Sequence, residues 1–426
     1  MKICIAGKNN IASDILEYLI FKKGISKNDI LVCCTKNDAG KNGWQRSLRF
    51  TADLLGVKEV KLEELYDISD LVFLSLEFDR IVRPALFKTN KLFNIHFSLL
   101  PKYKGMNTAI FPILNNEKYG GVTFHKIDNG IDTGEIIAQK RFVIDSEDTS
   151  RCLYLKNLNN GTQLVKECID KYLSCNFECS SIAQSVEESS YYSNRSIDYG
   201  NIQIDLHQTA LYIHNQIRAY NFREYQLPVV FGKKIRFCEI TKNRSAEKSG
   251  SIIWQNDDCM MIATIDYDVV LYVDKFDEVL ESCKNNDVDA LRRIFGLQYY
   301  LNEKEEHGWT PLTIAIYNGY YDLAMFLIAV GADIHVINNN GTNLLMYAKD
   351  AFVNNGDSRL FEYLYRKGLS LDKSDYSGKT LRYYCDNQNI NDIAGIAVCT
   401  KLANGGGYNC RVVLNSENLC SLPLVA

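Results

Sequence analysis

The sequence predicts an α/β fold in which a Rossmann-like, doubly wound domain is followed by a small β-rich domain and an α-helical repeat domain. Apolar segments of strand length alternate with helical segments early in the chain, strand patterns dominate the middle, and a repeat of fixed period occupies the last third. The 426 residues are too many for a single hydrophobic core. We therefore expect domains at 1–184, 185–273 and 274–396, followed by a tail at 397–426.

Four apolar segments separated by helical segments form the predicted parallel sheet, at 2–7, 29–35, 70–76 and 91–97. A hairpin is expected at 120–127 and 135–144, and a long helix at 150–172. In a doubly wound sheet, ligands bind beyond the carboxyl ends of the strands. Asn94 and His96 end the fourth strand and are two residues apart, so both side chains face the same side.

The middle and last parts of the chain follow different patterns. Around one helix at 206–220 we expect a small open barrel or sheet, with strands at 202–204, 227–231, 234–237 and 251–254. Further on, the segment that starts at Gly308 recurs from Gly341 and Gly378, at spacings of 33 and 37 residues. The first spacing is the ankyrin period, and the longer second one predicts a short insertion near 354–357. Such repeats must stack to bury their apolar faces.

Composition excludes several classes of function. The net charge is −4 and there is no basic run to follow a phosphate backbone, so nucleic acid is not an expected partner. No apolar run approaches the roughly 20 residues of a membrane-spanning helix. The 14 cysteines are scattered without a Cys-x-x-Cys pair, so we expect reduced thiols, a cytoplasmic protein and no bound metal.

The residues with the clearest chemistry lie in two short segments. The first reads Asn-Ile-His-Phe-Ser-Leu-Leu-Pro-Lys-Tyr-Lys-Gly from Asn94 to Gly105, and the second reads Asp-Asn-Gly-Ile-Asp-Thr-Gly from Asp128 to Gly134. The Asn94 amide can donate to an oxyanion, His96 can move a proton, and Asp132 can orient the imidazole. This set can transfer an acyl group to an amine without a metal or a covalent intermediate.

These segments resemble the signature of the folate-dependent formyltransferases, namely an Asn-x-His strand end, a Ser-Leu-Leu-Pro-x-Tyr-x-Gly turn and an Asp-x-Gly-x-Asp-x-Gly loop. The resemblance covers about residues 1–240. It implies N10-formyltetrahydrofolate as co-substrate and Asn94, His96 and Asp132 as catalytic residues. It also implies that the loop at 75–82 holds the pterin, largely through backbone groups. The side-chain candidates for this contact are Leu76, Phe78, Arg83 and Asp128.

Within that family, the short second domain and the Ile-Arg-Ala-Tyr-Asn-Phe segment at 217–222 are similar to the nucleotide-sugar branch. A methionyl-tRNA formyltransferase would carry a basic second domain, which this mildly acidic chain lacks. The resemblance implies a homodimer that formylates a dTDP-linked amino-dideoxyhexose, with 3-amino-3,6-dideoxyhexose favoured, for O-antigen or other surface polysaccharide. Aromatic rings can stack on the base, and arginines can clamp the pyrophosphate. The substrate-binding candidates are Asn9, Lys102, Arg151, Arg195, Arg218, Tyr220 and Phe222.

Several alternatives remain open at this point. The substrate can instead be a UDP-linked amino sugar, and neither the stereochemistry of the sugar nor the position of its amine can be read from the chain. The ankyrin repeats can be the main functional part, binding a protein or a second ligand beside a secondary formyltransferase unit, or sensing nucleotide-sugar. Asp128 can simply shape its loop, Tyr220 and Phe222 can pack a domain interface, and His125 can be an ordinary core or surface residue.

Overall fold

The computed structural model describes residues 1–175 and 180–387, and the chain divides into two units, Met1–Asp274 and Lys275–Ala426. The first unit contains sheets of seven, five and two strands, the last formed by residues 104–105 and 191–192, and the helices that pack on them. The second unit is helical. Each has its own hydrophobic core.

A seven-stranded sheet forms the centre of the first unit. The strands in this part of the chain are β1 (Lys2–Gly7), β2 (Ile30–Cys34), β3 (Lys58–Glu59), β4 (Leu71–Leu76), β5 (Leu92–His96), β6 (Lys104–Gly105), β7 (Tyr119–Lys126), β8 (Ile136–Val143) and β9 (Tyr191–Tyr192). The sheet has the order β3-β2-β1-β4-β5-β7-β8. The first five strands in this order are parallel to one another, β7 is antiparallel to β5, and β8 is antiparallel to β7. The predicted α/β class is therefore confirmed, and β3 is a strand that the sequence pattern did not indicate.

The α-helices in this part of the chain are α1 (Asn9–Glu17), α2 (Leu48–Leu55), α3 (Phe111–Leu114) and α4 (Ser150–Cys175). Helices α1, α2 and α4 pack on one face of this sheet, and a 3-10 helix at Leu62–Leu65 packs on the other. The central strand β1 is buried on both sides, because Ile3 and Ile5 face one core cluster while Cys4 faces the other. At its end, a Cβ on Gly7 would lie 1.9 Å from the carbonyl oxygen of Leu76, so only glycine permits this approach of β1 to β4.

The β-rich part of the first unit is a five-stranded antiparallel sheet. Its elements are α5 (Ala210–Ala219), β10 (Val229–Val230), β11 (Lys233–Ile240), β12 (Ile252–Gln255), β13 (Cys259–Ile262) and β14 (Val269–Val273). The strand order is β10-β11-β14-β13-β12, and Ile213 and Ile217 of α5 pack in its core. The prediction of a strand at 202–204 is wrong, because this segment pairs with no neighbouring strand among the described residues.

Helices in pairs make up the second unit. They are α6 (Phe276–Lys284), α7 (Val288–Arg293), α8 (Pro311–Tyr317), α9 (Tyr321–Ala329), α10 (Leu344–Asn355), α11 (Arg359–Arg366) and α12 (Leu381–Asn387). The 33-residue period appears in the helix caps: the Thr310 side chain accepts from the N–H of Thr313, and the Asn343 side chain accepts from those of Leu345 and Met346. The longer second spacing is taken up by α10, which is 12 residues long, whereas α8 has 7.

The end of the predicted repeat domain and the whole tail at 397–426 lie outside the described residues. Within the described part of the chain, no helix combines the length and the apolar character that crossing a bilayer would require.

Candidate active site

Three of the predicted catalytic side chains converge at the carboxyl edge of the seven-stranded sheet. Asn94 and His96 are supplied by the end of β5, and Asp132 by the loop between β7 and β8. Nδ2 of Asn94 lies 3.4 Å from one carboxylate oxygen of Asp132, and Nδ1 of His96 lies 3.4 Å from the other. Asp132 therefore holds the amide and the imidazole on either side of one carboxylate.

His96 has a defined neutral tautomer. Its Nε2 lies 2.8 Å from the backbone carbonyl oxygen of Tyr103, which can only accept, so Nε2 carries the proton. Burial lowers the pKa of His96 from its ordinary value, and the charge of Asp132 opposes this only in part. Neutral His96 thus keeps Nδ1 free to take a proton, and the cation so formed would lie beside the Asp132 carboxylate.

Asp132 is held in an unusual conformation by its neighbours. Its φ is 55°, in the left-handed region, and its carboxylate accepts from the N–H of Gly105 at 2.9 Å. The side-chain amide of Gln184 donates to the carbonyl oxygens of Asp132 and Gly134, at 2.9 and 2.7 Å. Burial would raise the pKa of Asp132, but the neighbouring His96 and His125 rings and the Gly105 N–H outweigh it and bring the pKa to about 2. The carboxylate is therefore ionised at neutral pH.

A fourth residue of this cluster, His125, was not expected to be functional. It lies on β7, where the antiparallel register places it directly opposite Asn94. Its Nε2 is 3.0 Å from Nδ2 of Asn94 and 3.6 Å from Asp132, and its side chain is buried. The pairing of the β5 and β7 segments, read together with their alternation, is the sequence signal that could have located it.

A polar network borders the same edge of the sheet. Nδ2 of Asn9 lies 3.1 Å from a carboxylate oxygen of Glu77, and the hydroxyl of Tyr154 is 2.9 Å from both oxygens of that carboxylate. Gln45 donates its side-chain N–H to the Tyr154 hydroxyl at 2.6 Å. Asn9 was a predicted substrate contact, whereas Glu77, Tyr154 and Gln45 had no predicted role.

Aromatic side chains adjoin this network. The Trp44 ring lies 5.5 to 5.8 Å from the rings of Tyr154, Phe222 and Tyr225. Phe222 is 7% exposed and Tyr225 is 66% exposed, so the cluster has a buried base and an open side. Among the aromatic candidates, Phe222 is therefore the one that the fold joins to the sheet edge, through Tyr154 at 5.8 Å.

The four candidates for the pterin contact do not share one role. The Leu76 side chain is buried in the core, and Phe78 packs edge-on against Phe73 at 6.2 Å. Arg83 is exposed beside a short 3-10 turn. Asp128 is exposed, and its carboxylate accepts from the N–H of Gly130 and from the hydroxyl of Thr133. The last contacts show that Asp128 shapes the loop that carries Asp132.

Two of the predicted substrate contacts are engaged elsewhere. Lys102 forms an ion pair with Glu117 at 3.3 Å and lines a cavity of about 310 Å³ whose lining does not include the three residues predicted to be catalytic. Arg151 forms an ion pair with Glu224 at 2.6 Å. The Arg195 side chain is exposed, and among the described residues no contact connects it to Asn94, His96 or Asp132.

The structure also moves Arg218 and Tyr220 away from the roles expected for them. Arg218 is 8% exposed, and its guanidinium donates to the carbonyl oxygens of Asp145 and Asp148 at 3.1 and 3.0 Å. Tyr220 ends α5 and packs on the core cluster that includes Ile110. Through these contacts both residues help to hold α5 against the segment before α4, and one face of α5 is buried as a result. Both terminal nitrogens of Arg218 are therefore engaged within the chain, and its Nε, which has no hydrogen-bond partner, is buried.

Comparison with known protein families gives two matches. The formyl transferase family model matches residues 59–169, a segment that contains Asn94, His96 and Asp132. The model for ankyrin repeats in three copies matches residues 279–375. The second match agrees with the period found in the sequence and with the paired helices of the second unit.

Two solved structures are similar over the first part of the chain. An N-formyltransferase from Helicobacter canadensis, in complex with folinic acid and dTDP-3-aminofucose, is 43% identical, with a TM-score of 0.60; the match covers 64% of this chain and 100% of that one. WlaRD, a sugar 3N-formyl transferase solved with dTDP and 5-N-formyl-THF, is 42% identical, with a TM-score of 0.60 and coverage of 64% and 97%.

A curated relative is more distant. The methionyl-tRNA formyltransferase of Alkaliphilus oremlandii is 30% identical over 212 residues, which are 48% of this chain. The chain spans 66% of the length of that relative.

Proposed function

We propose that this chain, which belongs to the formyl transferase family, transfers a formyl group from N10-formyltetrahydrofolate to the amine of a dTDP-linked 3-amino-3,6-dideoxyhexose. The observation that carries the proposal is the convergence of Asn94, His96 and Asp132 within 3.4 Å contacts. The two solved relatives, whose descriptions name a 3-amino sugar or a 3N-formyl transferase, favour the 3-amino position and dTDP.

The loop after β4 fits the donor. In the described part of the chain, no backbone N–H or C=O of residues 78–82 pairs with another backbone group. Unpaired backbone donors and acceptors suit the hydrogen-bonding edge of a pterin. When bound, the donor would supply an activated formyl carbon. The backbone of this loop, rather than the side chains of Leu76 or Phe78, is the part of the chain that we expect to hold it.

The trio divides the chemistry among three groups. Asn94 donates at 3.0 Å to His125, and its other N–H makes a 3.4 Å contact with Asp132 that is longer than an ordinary hydrogen bond. That second N–H is available to a reacting carbonyl oxygen on which negative charge develops. His96 Nδ1 accepts the proton that the attacking amine loses, and the leaving N10 nitrogen of tetrahydrofolate takes up a proton as its bond to the formyl carbon breaks. Asp132 stabilises the resulting imidazolium.

The test is direct. The full-length protein is incubated with N10-formyltetrahydrofolate and dTDP-3-amino-3,6-dideoxyhexoses, with a UDP-linked 4-amino sugar as the comparison substrate, and products are analysed by mass spectrometry. We expect a formylated dTDP-sugar that depends on the donor. The absence of formylated product with every amine, from protein shown to be folded, would reject the proposal.

We further infer a cytoplasmic homodimer in which the repeats bind a protein partner or a second ligand. The family resemblance supports the dimer, and the nine free cysteines among the described residues suit a reducing compartment. The ankyrin match supports a binding role, because stacked repeats present an extended surface. Light scattering on the purified protein tests the dimer, and affinity capture with the intact chain tests the partner.

A further inference from the structure

Glu77 occupies a position that a glutamate ordinarily avoids. It follows the last residue of β4 with φ of 57°, in the left-handed region, and Asn9, the first residue of α1, has φ of 66°. These two conformations turn the side chains toward each other, within 3.1 Å. Backbone strain of this kind concentrates at functional sites, where it positions particular groups.

The carboxylate of Glu77 is left without a cation. Its described hydrogen-bond partners, Asn9 and Tyr154, are neutral. No Lys, Arg or His nitrogen in the described part of the chain lies within 4.0 Å of it. Lys8 is the charged residue that acts on it from a longer distance. Carboxylates that leave solvent are normally paired, so this one is free to receive a cation from outside the chain.

Its surroundings suit an ammonium group. Glu77 is half-buried. The pKa of Tyr225 is raised by the burial of Tyr225 and also by the charge of Glu77, so the carboxylate lies near the aromatic cluster. Tyr154 contacts both Glu77 and Trp44. A carboxylate with aromatic rings beside it attracts a cation by ion pairing and by the ring quadrupoles together.

Glu77 is also beside the catalytic trio. The parallel register pairs Leu76 of β4 with Ile95 of β5, and the next residues along the two strands are Glu77 and His96. Neighbouring strands lie about 5 Å apart, so the two backbones are adjacent at the edge of the sheet. The ring of Tyr154 lies 5.9 Å from that of Phe97, which follows His96 and faces the core cluster on the opposite side of the strand.

We propose that Glu77 is the specificity-determining residue that binds the amino group of the substrate, in its ammonium form, at the entrance to the trio. The inference rests on the proposed function, because it is the amino sugar that supplies the cation. An amine of this kind has a pKa near about 8 and is largely protonated at neutral pH, and it loses its extra proton to solvent before the neutral amine attacks. Glu77 would select the amino sugar over its hydroxyl counterpart and hold the nitrogen at the edge of the sheet to which β4 and β5 both lead.

A purely structural role for Glu77 makes a different prediction. If the carboxylate served only to connect Asn9 and Tyr154, its replacement would weaken the binding of every nucleotide-sugar alike. If it binds the ammonium, only the preference for the amine would be lost. Glu77→Gln separates the two cases, because an amide of the same shape can still accept from Asn9 and exchange a hydrogen bond with Tyr154.

Isothermal titration calorimetry on the full chain tests this, with dTDP-3-amino-3,6-dideoxyhexose and the matching sugar that has a hydroxyl at C3. We expect wild type to bind the amino sugar about tenfold or more tightly than the hydroxy sugar, and Glu77→Gln to bind the two within about twofold. Glu167→Gln, an exposed glutamate on α4, is the matched control and should keep the wild-type preference.

Equal weakening of both ligands, or an unchanged preference in Glu77→Gln, would overturn the inference. Glu77→Asp, which keeps the charge, serves if the Gln variant does not fold, and it should retain a preference for the amino sugar. Formylation by wild type is measured in parallel. Because the binding preference needs no turnover, a lack of formylated product would count against the proposed function and leave the role of Glu77 to be decided by calorimetry.

Discussion

Nε2 of His125 lies 3.0 Å from Nδ2 of Asn94, and this contact fixes the direction of the Asn94 amide. The other ring nitrogen of His125 lies 2.7 Å from the carbonyl oxygen of Lys126, which can only accept, so Nδ1 carries the proton and Nε2 must accept. Asn94 therefore points its NH₂ group into the cluster. One of those two N–H groups is anchored, and the other faces Asp132 and the reacting centre.

The first prediction concerns this anchor. His125→Leu should lower kcat by about tenfold or more, because an unanchored amide loses its orientation toward the oxyanion. His125→Gln should restore much of the rate, since its side-chain oxygen can accept from Asn94. Steady-state kinetics of the two variants provide the comparison. Equal rates in His125→Leu and wild type would show that the contact is not used.

The second prediction concerns pH. His96 must be neutral to take a proton, and burial lowers its pKa from 6.5, so the fall in kcat that comes from protonation of His96 should lie below that value. In Asp132→Asn the charge that raises the pKa of His96 is gone. The acid limb should therefore move to still lower pH, and kcat should drop by about two orders of magnitude or more.

The control for this experiment is Asp170→Asn, which removes a carboxylate on the far part of α4 that pairs with Lys23. Its pH profile should match that of wild type. An acid limb above pH 6.5 that moves to lower pH in Asp132→Asn would contradict the neutral form of His96, because such a limb would belong to the imidazole.

The third prediction separates a structural from a substrate role for Arg218. Its guanidinium donates to two backbone carbonyls before α4, so Arg218→Ala should destabilise the first unit by about 1–3 kcal/mol. KM for the nucleotide-sugar should stay within about twofold of wild type for the folded fraction. Chemical denaturation and kinetics measure the two effects. A large rise in KM with unchanged stability would return Arg218 to the site.

These cases mark what the sequence could and could not predict. Asn94 and His96 were predicted from a short sequence signature, and alternation along one strand placed their side chains on the same side, so both steps need only local information. Asp132 followed from a loop motif. Each of these features lies within one short segment.

His125, Glu77 and Arg218 depend on contacts between distant segments. The partner of Asn94 was set by the register of an antiparallel strand 31 residues away. Glu77 was turned by a left-handed backbone at a strand end, which its residue type does not indicate. Arg218 belongs to a motif that suggested phosphate binding, yet the docking of α5 buried it against backbone carbonyls. Packing between elements decided all three.

The fourth prediction concerns the stability cost of Glu77. Burial raises its pKa above 4.5, so the folded chain holds this proton more tightly than the unfolded chain. The free energy of unfolding of wild type should therefore fall, relative to that of Glu77→Gln, as pH rises from 4.5 through the raised pKa, and then level off. Urea denaturation at several pH values measures the difference. A Gln variant that becomes relatively less stable as pH rises would contradict it.

The fifth prediction is that residues 1–274 alone catalyse formyl transfer at close to the full rate. The trio, the Glu77 network and the aromatic cluster all belong to the first unit, whose core clusters contain no residue of the repeats. Both solved relatives match 64% of this chain, and residues 1–274 make up the same share of its 426 residues. The match spans nearly the whole length of each relative. A fragment that ends at Asp274 should therefore fold, and its kcat should lie within about twofold of that of the intact chain. Circular dichroism verifies the fold before kinetics are compared. A folded fragment without activity would mean that the ankyrin repeats take part in the reaction itself, whereas full activity assigns them to binding.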